Sequence, residues 1–184
     1  MGPKALTDLS KFLSFVLRHK PEAVGLDLDP NGWVEIEHLI ERCRAHGKAL
    51  TKGIVEEIVA TSPKRRFAIS DDGRRVRANQ GHSIEIDLGY EPKEPPERLF
   101  HGTVSSSIAS IRSDGLKRMA RHHVHLSPDV ATARAVGVRR GKPMVLQIAA
   151  ARMHRDGHAF FLAANGVWLT ERVPPEYIHF PSEP

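Results

Sequence analysis

The segment Leu88-Gly89-Tyr90-Glu91-Pro92-Lys93-Glu94-Pro95-Pro96-Glu97 sets the first limit on how this chain folds. Proline has a fixed φ and no backbone N–H, so three of them within ten residues cannot continue a helix or a central strand. The stretch reads as an extended linker over 88–97. It separates two candidate lobes, 1–87 and 98–184, in a chain of 184 residues. Each lobe has roughly 90 residues, enough for one small domain.

The first lobe predicts three helices and a hairpin. Leu9, Phe12, Leu13 and Val16 recur at helical spacing over about 7–19, with Thr7 as the expected N-cap and Pro21 beyond the end. Ile36, Leu39, Ile40 and Cys43 make a second stripe over about 35–46, stopped by Gly47. Thr51 is placed to cap a third helix over about 52–61, with Ile54, Val55, Ile58 and Val59 inward. Asp71-Asp72-Gly73 between two short β-prone runs signals a hairpin. Three helices followed by a hairpin is the order of a winged helix-turn-helix.

The second lobe alternates short strands with short helices. Strands are expected around 98–102, 124–126, 144–149, 160–162, 167–169 and 177–180, with helices at 106–112 and 129–136. The whole chain therefore reads as α+β.

Composition narrows the class. Apolar residues make up 40% and charged residues 27%, as in folded globular chains. No apolar run approaches the roughly 20 residues of a membrane span, and Met1–Asp8 lacks a signal-type hydrophobic region. Cys43 is the only cysteine, which excludes an internal disulfide and a cysteine-based zinc site. It reads as a small core residue on a helix, and a reducing cytoplasm is the expected compartment. Net charge is +5. Residues 1–87 hold 14 Lys/Arg against 13 Asp/Glu and residues 88–184 hold 13 against 9, so the surplus lies mostly in the second half. A basic balance favours an anionic partner.

Arginine and histidine recur in short runs. These are Leu17-Arg18-His19-Lys20-Pro21, Lys64-Arg65-Arg66-Phe67, Arg77-Ala78-Asn79-Gln80-Gly81-His82-Ser83 and Arg121-His122-His123-Val124-His125-Leu126-Ser127. A guanidinium fork matches two phosphate oxygens at once, which a lysine cannot do. Taken singly, three of these runs also have a plain structural reading. Arg18 and His19 complement a helix dipole, Lys64–Arg66 make a solvated turn, and Asn79, Gln80 and His82 satisfy backbone groups. Arg74-Arg75 and Arg139-Arg140 read as solvated faces, and Trp33 and Trp168 as core. No glycine-rich phosphate or dinucleotide fingerprint is present. His122, His123 and His125 have no acidic or cysteine neighbour and adjoin Arg118 and Arg121, so no metal site is expected. Alternation places His123, His125 and Ser127 on one strand face.

With His101-Gly102-Thr103 and Asn165-Gly166-Val167-Trp168-Leu169-Thr170 added, these runs resemble, in order, the motifs of the RNA 2′-phosphotransferase family. The resemblance spans nearly the whole chain. It implies an N-terminal winged helix joined to a C-terminal ADP-ribosyltransferase-like domain. It implies transfer of an internal RNA 2′-phosphate to NAD+ through an ADP-ribosylated RNA intermediate. The products would be 2′-hydroxyl RNA, nicotinamide and ADP-ribose 1″,2″-cyclic phosphate. By the same resemblance Arg18, His19, Arg66 and Arg121 are catalytic, with the three arginines on phosphate and His19 as the general acid–base group. His101, Gly102, Thr103, His125 and Ser127 would bind NAD. Val167 would stand where many protein-modifying ADP-ribosyltransferases carry glutamate, because a phosphate acceptor is already anionic. The implied partners are RNA and NAD, with no membrane, and a monomer is expected.

Two rival readings remain at this point. A phosphate at an RNA or DNA end could be the acceptor, with the reaction stopping at the ADP-ribosylated end. Alternatively, the first lobe could read DNA and the second sense a ligand. Against the latter, Lys52 is the only basic residue in the expected third helix, where Glu56 and Glu57 oppose it.

Overall fold

In a computed structural model, which describes residues 2–138 and 142–181, the chain divides into two compact units, Met1–Gly89 and Tyr90–Pro184. Both combine helices with small antiparallel sheets, so the class is α+β. Among the described residues no helix is long and apolar enough to cross a membrane, and no group of three or more His, Cys, Asp or Glu is placed to hold a metal ion.

The first unit opens with α1 (Pro3–Arg18), which buries Leu13, Val16 and Leu17. The helix starts earlier than Thr7. The Leu6 N–H already donates to the Gly2 carbonyl at 3.2 Å, so Thr7 lies inside the helix and does not cap it. After a short 3-10 turn come β1 (Val34–Glu35) and α2 (Ile36–Ala45). The stripe Ile36, Leu39, Ile40 and Cys43 is fully inward. Gly47, at φ +72°, takes the left-handed conformation that ends the helix. The third helix, α3 (Lys52–Thr61), is capped by Thr51, whose hydroxyl accepts from the Ile54 N–H at 3.3 Å.

β2 (Phe67–Ile69) and β3 (Arg75–Ala78) then form the hairpin, with Gly73 at φ +68° in its turn. β1 pairs with the other edge of β3, giving the order β1-β3-β2. Leu13, Leu17, Leu39, Leu50 and Ile58 are fully buried between helices and sheet. Each such side chain contributes roughly 1.5–3 kcal/mol of transfer free energy. Trp33 is not in this core. It is half-buried, with the Arg77 guanidinium 4.6 Å and that of Arg75 5.6 Å from its ring centroid. An indole flanked by cations stays at the boundary because those cations need water.

The second unit contains β4 (Leu99–Val104), α4 (Ile108–Asp114), β5 (Leu116–Lys117), β6 (Val124–Leu126), α5 (Val130–Gly137) and β7 (Pro143–Ile148). It continues through α6 (Ala150–Arg155), β8 (Phe161–Leu162), β9 (Trp168–Thr170), β10 (Arg172–Val173) and β11 (Ile178–His179). β4 runs along β7 from Leu99↔Ile148 to Val104↔Pro143, and β11 takes the other edge of β7. A second sheet has the order β6-β9-β8, and β5 pairs with β10. Phe100 and Ser127 exchange N–H···O bonds of 2.9 and 2.7 Å, which ties β4 to the end of β6. Leu99, Leu126, Leu146, Met153 and Phe160 fill the core, joined by Trp168 as expected. The proline-rich segment is held against this unit. Lys93 N–H donates to the Phe160 carbonyl at 2.7 Å, and the Glu97 carbonyl accepts from Ala151 N–H at 3.3 Å.

Candidate functional site

In the first unit the hairpin register does the assembly. Phe67 pairs with Ala78, so the next residue along β3, Asn79, lands opposite Arg66. The Asn79 N–H donates to the Arg66 carbonyl at 2.9 Å, and its Nδ2 donates to the Arg65 carbonyl at 2.7 Å. Arg65 sits at φ +40°, a left-handed conformation that costs a non-glycine residue about 1 kcal/mol. Asn79 is only 3% exposed, and it holds the carbonyls of the strained residue and of the one after it.

Arg18 joins from the end of α1. Its Nη2 donates to the same Arg66 carbonyl at 3.2 Å, and its guanidinium lies 5.9 Å from the Phe67 ring centroid. The segment after β3 closes the group. Ser83 N–H donates to the Arg18 carbonyl at 2.9 Å, and Ser83 Oγ lies 2.9 Å from His19 Nδ1. The structure thus brings Arg18 and His19 to the Arg66 backbone through the Arg18 Nη2 bond, with Ser83 holding the Arg18–His19 end and Asn79 the Arg65–Arg66 end. Asn79 does satisfy backbone groups, as its sequence context suggested. The contact of Ser83 with His19 was not foreseen, although Ser83 ends the motif that contains Asn79. Arg75 instead pairs with Asp29 at 3.7 Å. Arg139 and Arg140 lie outside the described residues.

In the second unit the expected alternation holds along β6. Val124 and Leu126 are buried, while His123, His125 and Ser127 are half-exposed. His101, on β4, places Nδ1 3.0 Å from the His125 carbonyl oxygen. A carbonyl only accepts, so His101 carries its proton on Nδ1 in this contact. Arg121 Nη1 lies 3.1 Å from His125 Nδ1. A guanidinium only donates, so His125 Nδ1 is the acceptor and the ring proton sits on Nε2. The two imidazoles are therefore held in opposite tautomers.

Gly102 has a packing reason of its own. A Cβ there would overlap the Ala133 carbonyl oxygen and lie 2.7 Å from its carbon, so β4 and α5 approach too closely for any side chain. Thr103 is buried. Ser127 spends both main-chain groups on Phe100, so any ligand chemistry there rests on its hydroxyl. Val167 lies just before β9, and its N–H donates to Asn165 Oδ1 at 3.3 Å. Burial lowers the pKa of His123 below the usual imidazole value, aided by the fields of His122 and Arg118 and opposed by Glu171. His123 packs edge-on against Phe161, with ring centroids 5.5 Å apart.

Comparison with known proteins bears on what these groups do. Residues 4–172 match the model of the RNA 2′-phosphotransferase, Tpt1 / KptA family. The chain is 53% identical over 180 residues to a probable RNA 2′-phosphotransferase of Rhodopirellula baltica, covering 97% of this chain and 98% of that one. It is 53% identical over 182 residues to a probable RNA 2′-phosphotransferase of Streptomyces coelicolor, covering 99% of each. A probable RNA 2′-phosphotransferase of Burkholderia lata is 52% identical over 179 residues, covering 97% of this chain and 92% of that one.

Proposed function

Since the chain belongs to the RNA 2′-phosphotransferase family, we propose that it is an enzyme that takes an internal 2′-phosphate from RNA, with NAD+ as co-substrate. The observation that carries this reading is the joining of Arg18, His19 and Arg66, drawn from sequence motifs far apart, by the Arg66 carbonyl and Ser83. The first unit is read as a winged helix and the second as an ADP-ribosyltransferase-like domain.

NAD+ is a substrate in this scheme, and it supplies an electrophilic anomeric carbon whose leaving group, nicotinamide, departs neutral. The second unit offers side chains of suitable chemistry for it. His101 and His125 are strand-held imidazoles of opposite tautomer, Thr103 and Ser127 carry hydroxyls, and Gly102 keeps the strand close to α5. Uncharged donors and acceptors of this kind suit ribose hydroxyls and an amide.

Arg18, Arg66 and Arg121 neutralise the phosphate oxygens. An oxygen of the RNA 2′-phosphate bonds to the anomeric carbon as the bond to nicotinamide breaks, giving ADP-ribosylated RNA. The ribose 2″-hydroxyl then attacks phosphorus, and the bond from phosphorus to the RNA 2′-oxygen breaks. His19 takes the proton of the attacking hydroxyl and returns one to the departing 2′-oxygen. The products are 2′-hydroxyl RNA and ADP-ribose 1″,2″-cyclic phosphate.

The test is one incubation of the protein with NAD+ and an RNA bearing a single internal 2′-phosphate, followed by mass analysis. RNA lighter by one phosphate, with nicotinamide and cyclic phospho-ADP-ribose in equal amount, is expected. Unchanged RNA, or inorganic phosphate released without nicotinamide, overturns the proposal.

A further inference from the structure

We propose that Ser83 is the positioning residue for His19, its hydroxyl holding the Nδ1 side of the ring so that Nε2 is the nitrogen that exchanges protons. The inference rests on the reading of His19 as the proton-transfer group of the second step.

The geometry has two separable parts. Ser83 N–H donates to the Arg18 carbonyl at 2.9 Å. That carbonyl lies at the C-terminal end of α1, where helical partners have run out. This main-chain bond places residue 83 beside His19 whatever its side chain. The side chain then adds the contact between Oγ and His19 Nδ1 at 2.9 Å. His19 is exposed, at the C-cap of α1 with φ −128°. An exposed imidazole gains little orientation from packing, and the Ser83 hydroxyl gives its Nδ1 side a directional hydrogen bond.

A hydroxyl suits this task. With Nδ1–H donating to Oγ, the ring can gain and lose a proton at Nε2 without breaking the contact. The neutral form presents a lone pair at Nε2 as base, and the cation presents Nε2–H as acid. An alanine at position 83 would remove the hydroxyl's hold on Nδ1 and weaken the preference for a proton there. The main-chain tie to Arg18 would survive, so Ser83→Ala isolates the hydroxyl. Threonine keeps the hydroxyl and is the conservative control.

Two measurements test this on the full-length protein. The first is ¹⁵N NMR of the His19 ring at a pH where it is neutral, with neither RNA nor NAD+ present. The wild type is expected to show Nδ1 protonated, Ser83→Ala a smaller share of that tautomer, and Ser83→Thr the wild-type pattern. A wild-type ring protonated mainly on Nε2, or a Ser83→Ala spectrum identical to wild type, overturns the proposal. The second is the single-turnover rate of the second step, from quenched time courses. Ser83→Ala should slow it roughly tenfold, the rate equivalent of one hydrogen bond, with the RNA KM unchanged. Ser83→Thr should restore it, and Ser83→Ala added to His19→Ala should have no further effect. A full-speed Ser83→Ala beside a slow His19→Ala also overturns the proposal. If His19→Ala itself runs at wild-type speed, the reading of His19 is what fails, and the NMR result still decides whether Ser83 sets the ring.

Discussion

The Arg18 guanidinium donates through Nη2 to the main-chain carbonyl of Arg66 at 3.2 Å. One candidate phosphate-binding arginine is thus oriented by the backbone of another. A lysine cannot hold that carbonyl and still present a planar fork to phosphate. Arg18→Lys should therefore behave as a loss of function, with the second step slowed about a hundredfold, the scale for removing one oriented charged donor. ADP-ribosylated RNA should accumulate in quenched time courses. Arg18→Ala should also lower stability by about 1 kcal/mol in urea unfolding, the net value of one hydrogen bond, because the Arg66 carbonyl keeps its bond from the Asn79 N–H. An Arg18→Lys enzyme with wild-type turnover would show that the fork is not what matters.

The close approach of β4 to α5 gives a second expectation. A methyl group on residue 102 would overlap the Ala133 carbonyl oxygen. Main chain is hard to displace, so Gly102→Ala should cost roughly 3 kcal/mol or more. Chemical unfolding followed by circular dichroism would measure this. A Gly102→Ala protein of unchanged stability that no longer bound NAD+ would assign the glycine to the ligand instead of to packing.

The helical stripes of the first unit were legible because apolar spacing survives any detail of packing. Ile36, Leu39, Ile40 and Cys43 are all buried on α2 as their spacing required. What could not be read was whatever depends on contacts remote in sequence. β1, β5 and β10 have two residues each, too few to show alternation, and exist only through their partners. The start of α1 was misplaced because Thr7 is a good capping residue that the helix simply passes. Trp33, expected in the core, is held at the surface boundary by Arg75 and Arg77. Within the candidate site, motif membership drew attention to Arg18, His19 and Arg66. The partnership of Asn79 with Arg65 and Arg66 follows from a hairpin register that no local pattern encodes. The reach of Ser83 to the end of α1 is a loop contact with no periodicity at all.

Cys43 offers a check on the first core. It is completely buried on α2, and burial pushes its thiol up to about 11, with Lys48 opposing weakly. Thiolate is the reactive form, so both access and ionisation protect this residue. Folded protein at pH 8 should show no reaction with a thiol reagent over a time in which urea-unfolded protein reacts completely. Because Cys43 is the only cysteine, the amount of reagent consumed reports directly on opening of this core. Fast reaction in native buffer would mean that α2 detaches readily from the sheet.

His123 ties stability to pH. Burial against Phe161, reinforced by His122 and Arg118, lowers its pKa below the ordinary 6.5. In the unfolded chain the same ring protonates at its ordinary value. Between the lowered folded value and 6.5 the unfolded state therefore binds more protons, and stability rises with pH across that window. The contribution is complete above the unfolded value and is lost as pH falls through the folded one. His123→Gln removes the titration while keeping a polar group of similar reach. The variant should lose some stability at pH 7.5, since the edge contact with Phe161 goes, yet lose less than wild type on moving to pH 5. Urea midpoints for both proteins at the two pH values measure the difference. A wild type and variant with parallel pH dependence would place the acid sensitivity of this unit on other groups.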